Sequence, residues 1–264
     1  MRIKALAAAA AAAGALAAAV FAAAPVQAGT TPVTYDALGD SYSSGVGAGD
    51  YLADDGCYRS EHAYPKQVTT LLLEPLKFDA CSGATTADVT ANQLHNLSAG
   101  TGHVTISVGG NDIGFSSVLG ACAGTDASQC TAAIDGARAK IADDLPAKLD
   151  ALYTEIHNRA PYADVIVVGY PHLFNGTTCA TTLAITPDEM AAINDTADQL
   201  AAVISAAASA HGFTFADPRS AFAGHEVCTA DPYLLGYQAS ATVESFHPTV
   251  AGQNAYAALV GSLV

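Results

Sequence analysis

The sequence predicts an α/β fold in which a parallel sheet is covered by helices on both faces. Short apolar, β-branched segments alternate along the chain with longer stretches of helical periodicity. The apolar segments carry few polar residues, which is typical of strands that are buried on both faces of a parallel sheet. Ligands of such sheets lie beyond the carboxyl ends of the strands. The residues that follow each predicted strand are therefore the candidates for a functional site.

Five strands and five main helices are predicted in alternation. The strands are expected over residues 33–39, 76–80, 104–108, 164–169 and 213–216. The helices are expected over residues 64–73, 86–94, 131–159, 187–210 and 249–263. Thr186 is placed to cap the fourth helix. Pro146 is expected to bend the third, because proline lacks the amide hydrogen that a helix interior needs.

The N-terminus is typical of a secretory signal peptide. Arg2 and Lys4 precede an alanine-rich apolar run, which ends in small residues at Ala28. The alternative is a transmembrane anchor, which the weak hydrophobicity of alanine and the absence of a second apolar span disfavour. We therefore predict that residues 1–28 are a signal peptide, that residues 29–264 form a single domain, and that the protein is secreted and extracellular.

The charge of the chain limits its partners. The formal net charge is −15 at pH 7. A surface this acidic disfavours nucleic acid and gains nothing electrostatically from anionic membranes, so any contact with lipid must be apolar. We expect a monomer without nucleic acid and without a stable membrane anchor.

Six cysteines in a chain predicted to be secreted indicate disulfides. Free thiols or a metal site are the alternatives, but the chain has no CxxC motif and no cluster of cysteine and histidine, so no metal is expected. The spacing suggests three sequential pairs, namely Cys57–Cys81, Cys122–Cys130 and Cys179–Cys228.

Ser41 follows the first predicted strand in a turn that glycines bracket. This position suits a nucleophile, because a helix that begins there aims backbone N–H groups at a developing oxyanion. The alternatives are an ordinary Ser/Gly-rich turn and a phosphate loop, although no GK[ST] sequence follows.

Four further residues could support a nucleophilic serine, as oxyanion donors or as a general base and its partner. Gly83 follows the second strand and frees a backbone N–H, and Asn111 follows the third and offers a side-chain N–H₂. His247 precedes the last helix and suits a general base. Glu244, three residues earlier, could fix the tautomer of the His247 imidazole. Taken singly, three of them have an ordinary alternative: Gly83 as a turn glycine, Asn111 as a helix cap and His247 as a surface histidine.

The chain resembles the SGNH (GDSL) hydrolases, whose four sequence blocks it matches in order. The matching residues are Gly39-Asp40-Ser41, Gly83, Gly109-Gly110-Asn111-Asp112 and His247. The segments GDSYSSG and SFHP and the cysteine spacing are similar to those of the secreted actinomycete lipases, esterases and phospholipases of that family. The resemblance implies a three-layer α/β/α sandwich with a five-stranded parallel sheet, flavodoxin-like, and no cofactor.

The resemblance also implies the roles of the site residues. Ser41 would be acylated, and the backbone N–H groups of Ser41 and Gly83 would form the oxyanion hole with the Asn111 side chain. The usual acid of the family is an aspartate three residues before the histidine, where this chain has Glu244. We predict Glu244 as the third member of the triad, and the backbone carbonyl of Ser245 is the alternative.

The predicted reaction is two-step acyl transfer on a carboxylic ester, with acylglycerols or phospholipids as substrates. One alternative is a carbohydrate O-acetyl esterase on the same fold, which the absence of tryptophan disfavours, although eleven tyrosines could partly substitute. A second alternative is a non-catalytic secreted binding protein, which the intact Ser41, Asn111 and His247 disfavour.

Overall fold

A parallel sheet lies at the centre of the part of the chain that the structure describes. The computed structural model describes residues 33–53 and 56–264, and the predicted signal peptide lies outside them. The strands are β1 (Thr34–Gly39), β2 (Leu76–Phe78), β3 (Thr101–Ser107), β4 (Asp164–Val168) and β5 (Thr214–Ala216). Their spatial order is β2-β1-β3-β4-β5, and all neighbouring pairs are parallel. The predicted five-stranded parallel sheet is confirmed.

Helices cover both faces of the sheet. They are α1 (Ser41–Ser44), α2 (Tyr64–Leu72), α3 (Thr86–Asn92), α4 (Gly110–Ile113), α5 (Phe115–Cys122), α6 (Ala127–Asp143), α7 (Leu145–Arg159), α8 (Pro187–Ala210), α9 (Arg219–Phe222) and α10 (Val250–Gly261). The connection from β1 to β2 runs in one direction along the sheet and the later connections run in the other. Right-handed crossovers then place the helices on opposite faces. Accordingly, α10 packs against α2 and α9, whereas α7 packs against α3, α6 and α8.

The predicted helix over residues 131–159 is two helices. α6 ends at Asp143 and α7 begins at Leu145, with Pro146 in the first turn of α7. Proline has no amide hydrogen, and its ring collides with the preceding turn, so the ladder of α6 cannot continue through it. The expectation of one bent helix was therefore wrong. None of the described helices is long and apolar enough to cross a lipid bilayer.

Gly39 brings the carboxyl ends of β1 and β3 together. It pairs with Ser107 in the parallel register and has φ +120°. A Cβ at this position would lie 2.3 Å from the carbonyl oxygen of Ser107, so the close approach and the backbone conformation both require glycine. Buried Gln93 fixes the same strand end, since its side chain accepts from the Gly39 N–H and donates to the Gly39 carbonyl. The turns that follow β1 and β3 therefore start side by side.

Three disulfides cross-link loops and helices that follow the strands. The pairs are Cys57–Cys81, Cys122–Cys130 and Cys179–Cys228, so the predicted connectivity is confirmed. The first pair ties the loop after α1 to the turn that holds Gly83, the second joins α5 to α6, and the third links the long loop after β4 to the loop after α9.

Candidate active site

Ser41 is the first residue of α1, directly after β1. Asp40 caps this short helix, because its carboxylate accepts from the backbone N–H of Tyr42 at 3.0 Å. Gly45 ends the helix in a left-handed conformation with φ 90°. The sharp turn from strand to helix leaves Ser41 only 7% exposed, at the carboxyl edge of the sheet, where a ligand is expected.

His247 reaches Ser41 from the loop before α10. Its Nε2 lies 2.7 Å from the Ser41 hydroxyl oxygen, and its Nδ1 lies 3.0 Å from the carbonyl oxygen of Ser245. A carbonyl oxygen can only accept, so Nδ1 carries the proton and Nε2 has a free lone pair. In this tautomer Ser41 donates its hydroxyl hydrogen to Nε2, which is the arrangement that general-base activation of a serine needs.

Glu244 does not contact the imidazole of His247 through its carboxylate. The carboxylate instead accepts a hydrogen bond from the hydroxyl of Tyr51 at 2.6 Å. Glu244 ends a short 3₁₀ turn, and Phe246 then takes a left-handed conformation with φ 62°, which turns the Ser245 carbonyl towards the ring. The geometry therefore differs from the sequence prediction: the alternative partner, a backbone carbonyl, occupies the place at Nδ1 that a triad acid would take.

Burial makes the imidazole a base with an unusually low pKa. The surrounding protein removes water from the ring and lowers the pKa of His247 from 6.5 to about 4, while the hydrogen bonds to the carbonyls of Ser245 and Glu244 oppose this shift. Among the residues that the structure describes, no carboxylate contacts the ring to hold the charged form, because that of Glu244 bonds to Tyr51. His247 is therefore neutral, and competent as a base, at neutral pH.

Gly83 and Asn111 line the same groove as Ser41 and His247. The Nδ2 of Asn111 donates to the carbonyl oxygen of Ala84 at 3.0 Å, which fixes the plane of the amide and leaves its second hydrogen for another acceptor. Gly83 has φ 80°, and a Cβ there would meet no neighbour, so its backbone borders open space. The structure thus brings these predicted residues together beside the serine.

Asp112 positions Asn111 relative to the rest of the site. Its carboxylate accepts from the backbone N–H of Thr86 at 3.0 Å and from the Thr86 hydroxyl at 2.7 Å. Thr86 is the first residue of α3, so this contact satisfies an N–H group that lacks a partner inside the helix. The loops after β2 and β3 are consequently held together by two adjacent residues, Asn111 and Asp112.

A model of the GDSL-like lipase/acylhydrolase family matches residues 37–255. Lipase 1 of Streptomyces coelicolor is 46% identical over 224 residues, which span 83% of this chain and 82% of that protein. The chain belongs to this family. A lipase of Streptomyces rimosus is 45% identical over the same shares of the two chains. Family membership and the Ser41–His247 pair make this GDSL protein a serine ester hydrolase.

Solved structures of the GDSL family resemble the fold closely. The extracellular lipase of Streptomyces rimosus has a TM-score of 0.84 and 42% identity, and phospholipase A1 of Streptomyces albidoflavus NA297 has a TM-score of 0.85 and 39% identity. Both comparisons cover 88% of this chain and 100% of the other. An acetylxylan esterase of Geobacillus stearothermophilus, at 19% identity and a TM-score of 0.52, shares the fold alone.

A buried network in this GDSL hydrolase was not predicted from the sequence. Asp40 is 2% exposed, and its carboxylate accepts from the hydroxyls of Ser107, at 2.7 Å, and Tyr170, at 2.5 Å. The Tyr170 oxygen also accepts from the backbone N–H of Gly110 at 3.2 Å. Burial raises the pKa of Asp40 to about 6, although these donors oppose the shift. Tyr170 directly follows a predicted strand, and that position was the signal that could have revealed it.

An apolar pocket opens beside Ser41 and His247 of this GDSL hydrolase. Tyr170 forms part of its wall, with side chains from α5, α8 and the loop after β4. The apolar side chains that line it include Phe115, Leu119, Leu173, Ala197, Leu200 and Phe246. Such a lining suits a hydrocarbon group held next to the reacting serine.

Proposed function

We propose that this enzyme hydrolyses lipid esters, cleaving the acyl esters of acylglycerols or phospholipids through an acyl-enzyme on Ser41. The observation that carries the proposal is the 2.7 Å contact between Ser41 and His247 beside an apolar pocket. The relatives support the substrate class, since those at 39–46% identity are named lipases and a phospholipase A1.

The first half of the reaction forms the acyl-enzyme. Nε2 of His247 takes the hydroxyl proton of Ser41 as the serine oxygen attacks the ester carbonyl. The backbone N–H groups of Ser41 and Gly83 and the free N–H of Asn111 stabilise the oxyanion that forms. His247 then gives its proton to the leaving alkoxide, and the acyl group stays on Ser41.

The second half releases the acid. A water molecule takes the place of the alcohol, His247 removes one of its protons, and the resulting oxygen nucleophile attacks the acyl-serine. The tetrahedral intermediate is held by the same donors, and its collapse returns the proton from His247 to Ser41. In both halves the Ser245 carbonyl accepts from Nδ1–H, so a Ser41–His247 dyad oriented by backbone carries the proton transfers.

A substrate panel tests the proposed substrate class. The panel contains p-nitrophenyl esters from acetate to palmitate, an emulsified triacylglycerol, a phosphatidylcholine and an acetylated polysaccharide, with Ser41→Ala as the inactive control. We expect activity on medium or long acyl chains and on at least one aggregated lipid. Activity confined to acetyl groups on polysaccharide would instead identify a carbohydrate esterase, and turnover equal to that of Ser41→Ala would indicate a binding protein.

We further propose that the enzyme is secreted as a monomer of residues 29–264 after cleavage behind Ala28. Three disulfides support an oxidising compartment, and the similar lipase of Streptomyces rimosus is described as extracellular. N-terminal sequencing of the protein from culture medium should begin at Gly29, and sedimentation should give the monomer mass. An intact N-terminus on a cell-associated protein would contradict secretion.

A further inference from the structure

Leu183 occupies a backbone position that normally belongs to glycine. The N–H of Ile185 donates to the carbonyl of Thr182 at 3.2 Å and closes a four-residue turn. Leu183, the first central residue of this turn, has φ 55° and ψ −130°. These angles define a type II′ turn, and a side chain at its first central position is strained. Observed strain of this kind is characteristic of functional positions.

The surrounding residues hold the turn in place, and the leucine side chain adds little to their packing. Thr182 and Ile185, on either side of the tip, are both buried. The preceding segment is fixed by the bond between Cys179 and Cys228. Leu183 itself remains 42% exposed. Its side chain therefore contributes little to the core, so folding does not explain why a leucine stands where glycine would be relaxed.

Leu183 stands at the mouth of the catalytic groove, and Val243 stands there with it. Both line the groove that contains Ser41 and His247, and Val243 is 37% exposed on the 3₁₀ turn just before the histidine. No Asp, Glu, Lys or Arg is among the described residues that line this groove, although the chain carries a net charge of −15. We call Leu183 and Val243 the apolar rim.

We propose that the apolar rim docks the enzyme on the surface of an electrically neutral lipid aggregate, so that an ester passes directly from the aggregate to Ser41. This inference rests on the proposed function. An uncharged groove mouth on an acidic protein fits a zwitterionic or neutral surface, because anionic headgroups would be repelled by the molecule as a whole. Exposed apolar side chains become buried on contact with such a surface, which supplies the attraction.

Leu183→Gly separates docking from folding, because it removes the side chain and relaxes the turn at once. Its matched control is Leu73→Gly. Leu73 also has positive φ, at 56°, and is 87% exposed, but it follows α2 and precedes β2, so it lies at the amino edge of the sheet, away from the site. Val243→Ser is the second rim variant. All three changes are made in the Ser41→Ala background, where binding is measured without hydrolysis.

The measurement is co-sedimentation with phosphatidylcholine vesicles, paired with thermal melting. We expect Leu183→Gly to weaken vesicle binding by about tenfold to a hundredfold without lowering the melting temperature, and Val243→Ser to weaken it about fivefold or more. Leu73→Gly should bind as its parent does. Adding phosphatidylglycerol to the vesicles should weaken binding by the parent protein.

Several results would overturn the inference. The first is that Leu183→Gly and Val243→Ser bind vesicles as tightly as the parent protein. The second is that Leu73→Gly weakens binding as much as the rim variants do. The third is that the parent binds more tightly to vesicles that contain phosphatidylglycerol. With Ser41 restored, we expect Leu183→Gly to lower the rate of vesicle hydrolysis relative to the rate of hydrolysis of dissolved p-nitrophenyl butyrate. An unchanged ratio of the two rates would also contradict docking by the apolar rim. Wild-type protein that binds vesicles yet hydrolyses no lipid would instead refute the proposed function.

Discussion

We expect the protonation of His247 to set the lower pH limit of activity. Only the neutral imidazole can accept the Ser41 proton, and burial lowers its pKa to about 4. Because the pKa is depressed, the neutral form persists further into acid than for an ordinary histidine. We expect kcat/KM on a dissolved ester to rise with an inflection near pH 4, with tyrosine fluorescence confirming the fold. An inflection at or above the ordinary histidine pKa of about 6.5 would show a charge-stabilised imidazolium and contradict the structure.

Glu244 should be nearly dispensable for the chemistry. Its carboxylate bonds to Tyr51 and leaves Nδ1 of His247 to the Ser245 carbonyl. We therefore expect Glu244→Gln to lower kcat by less than about fivefold, whereas loss of an essential triad acid costs about 10⁴. His247→Ala, measured beside it, should be inactive. A decrease in kcat of about a hundredfold or more in Glu244→Gln would show that the carboxylate is the third member of the triad.

Tyr170 acts as a positioning residue for the two turns that meet at Ser41. Tyr170→Phe removes the donor to buried Asp40 and the acceptor for the Gly110 N–H. A hydrogen bond to a charged group contributes about 1.5–3 kcal/mol, so we expect a loss of stability of that size. With Ser41 and Asn111 less well held, kcat should fall about tenfold, while KM changes by less than about twofold.

Tyr153→Phe is the matched control for this substitution. The Tyr153 hydroxyl is also buried, yet it finds no hydrogen-bond partner within the described residues. Its removal should leave stability unchanged or improved and leave kcat unchanged, because no bond is lost. Equal kinetic losses in the two variants would show that Tyr170 acts through packing alone.

At the scale of elements, α8 forms part of the apolar pocket and should set the preferred acyl length. Ala197 is buried on α8 and lines the pocket, so Ala197→Leu places three further carbons inside it. We expect kcat/KM for long-chain p-nitrophenyl esters to fall about tenfold relative to the acetate ester. Ala201→Leu, equally buried on α8 but outside the pocket lining, is the control for overpacking. A uniform decrease across chain lengths in Ala197→Leu would place the acyl chain elsewhere.

The element boundaries show which features of the fold the sequence encodes locally. α8 was predicted over its observed span with Thr186 as its cap, and in the structure Thr186 and Glu189 form a capping box while Pro187 occupies the first turn. The short α4, α5 and α9 were not predicted. Helices of this length are not stable by themselves, and the surrounding structure, including the Cys122–Cys130 bond at the end of α5, determines them.

At the scale of the whole molecule, the meeting of Ser41, Gly83 and Asn111 in one groove could be predicted because the topology of the sheet brings them together. Ser41, Gly83 and Asn111 each follow a strand of one parallel sheet, so their meeting at its carboxyl edge needs no knowledge of side-chain geometry. The partner of Nδ1 could not be predicted in this way. It depends on the left-handed conformation of Phe246 and on the reach of Tyr51 from a distant loop, and neither has a local sequence signal.

The central claim is that His247 activates Ser41 as the nucleophile, and labelling with a fluorophosphonate tests it most directly. Ser43 and Ser44 are internal controls: Ser43 bonds to Tyr64 and Ser107, and the Ser44 hydroxyl bonds to the Ser41 carbonyl. Mass spectrometry of the labelled protein should find a single adduct, on Ser41, and His247→Ala should remove it. An adduct on Ser43 or Ser44, or undiminished labelling of Ser41 in His247→Ala, would contradict the account.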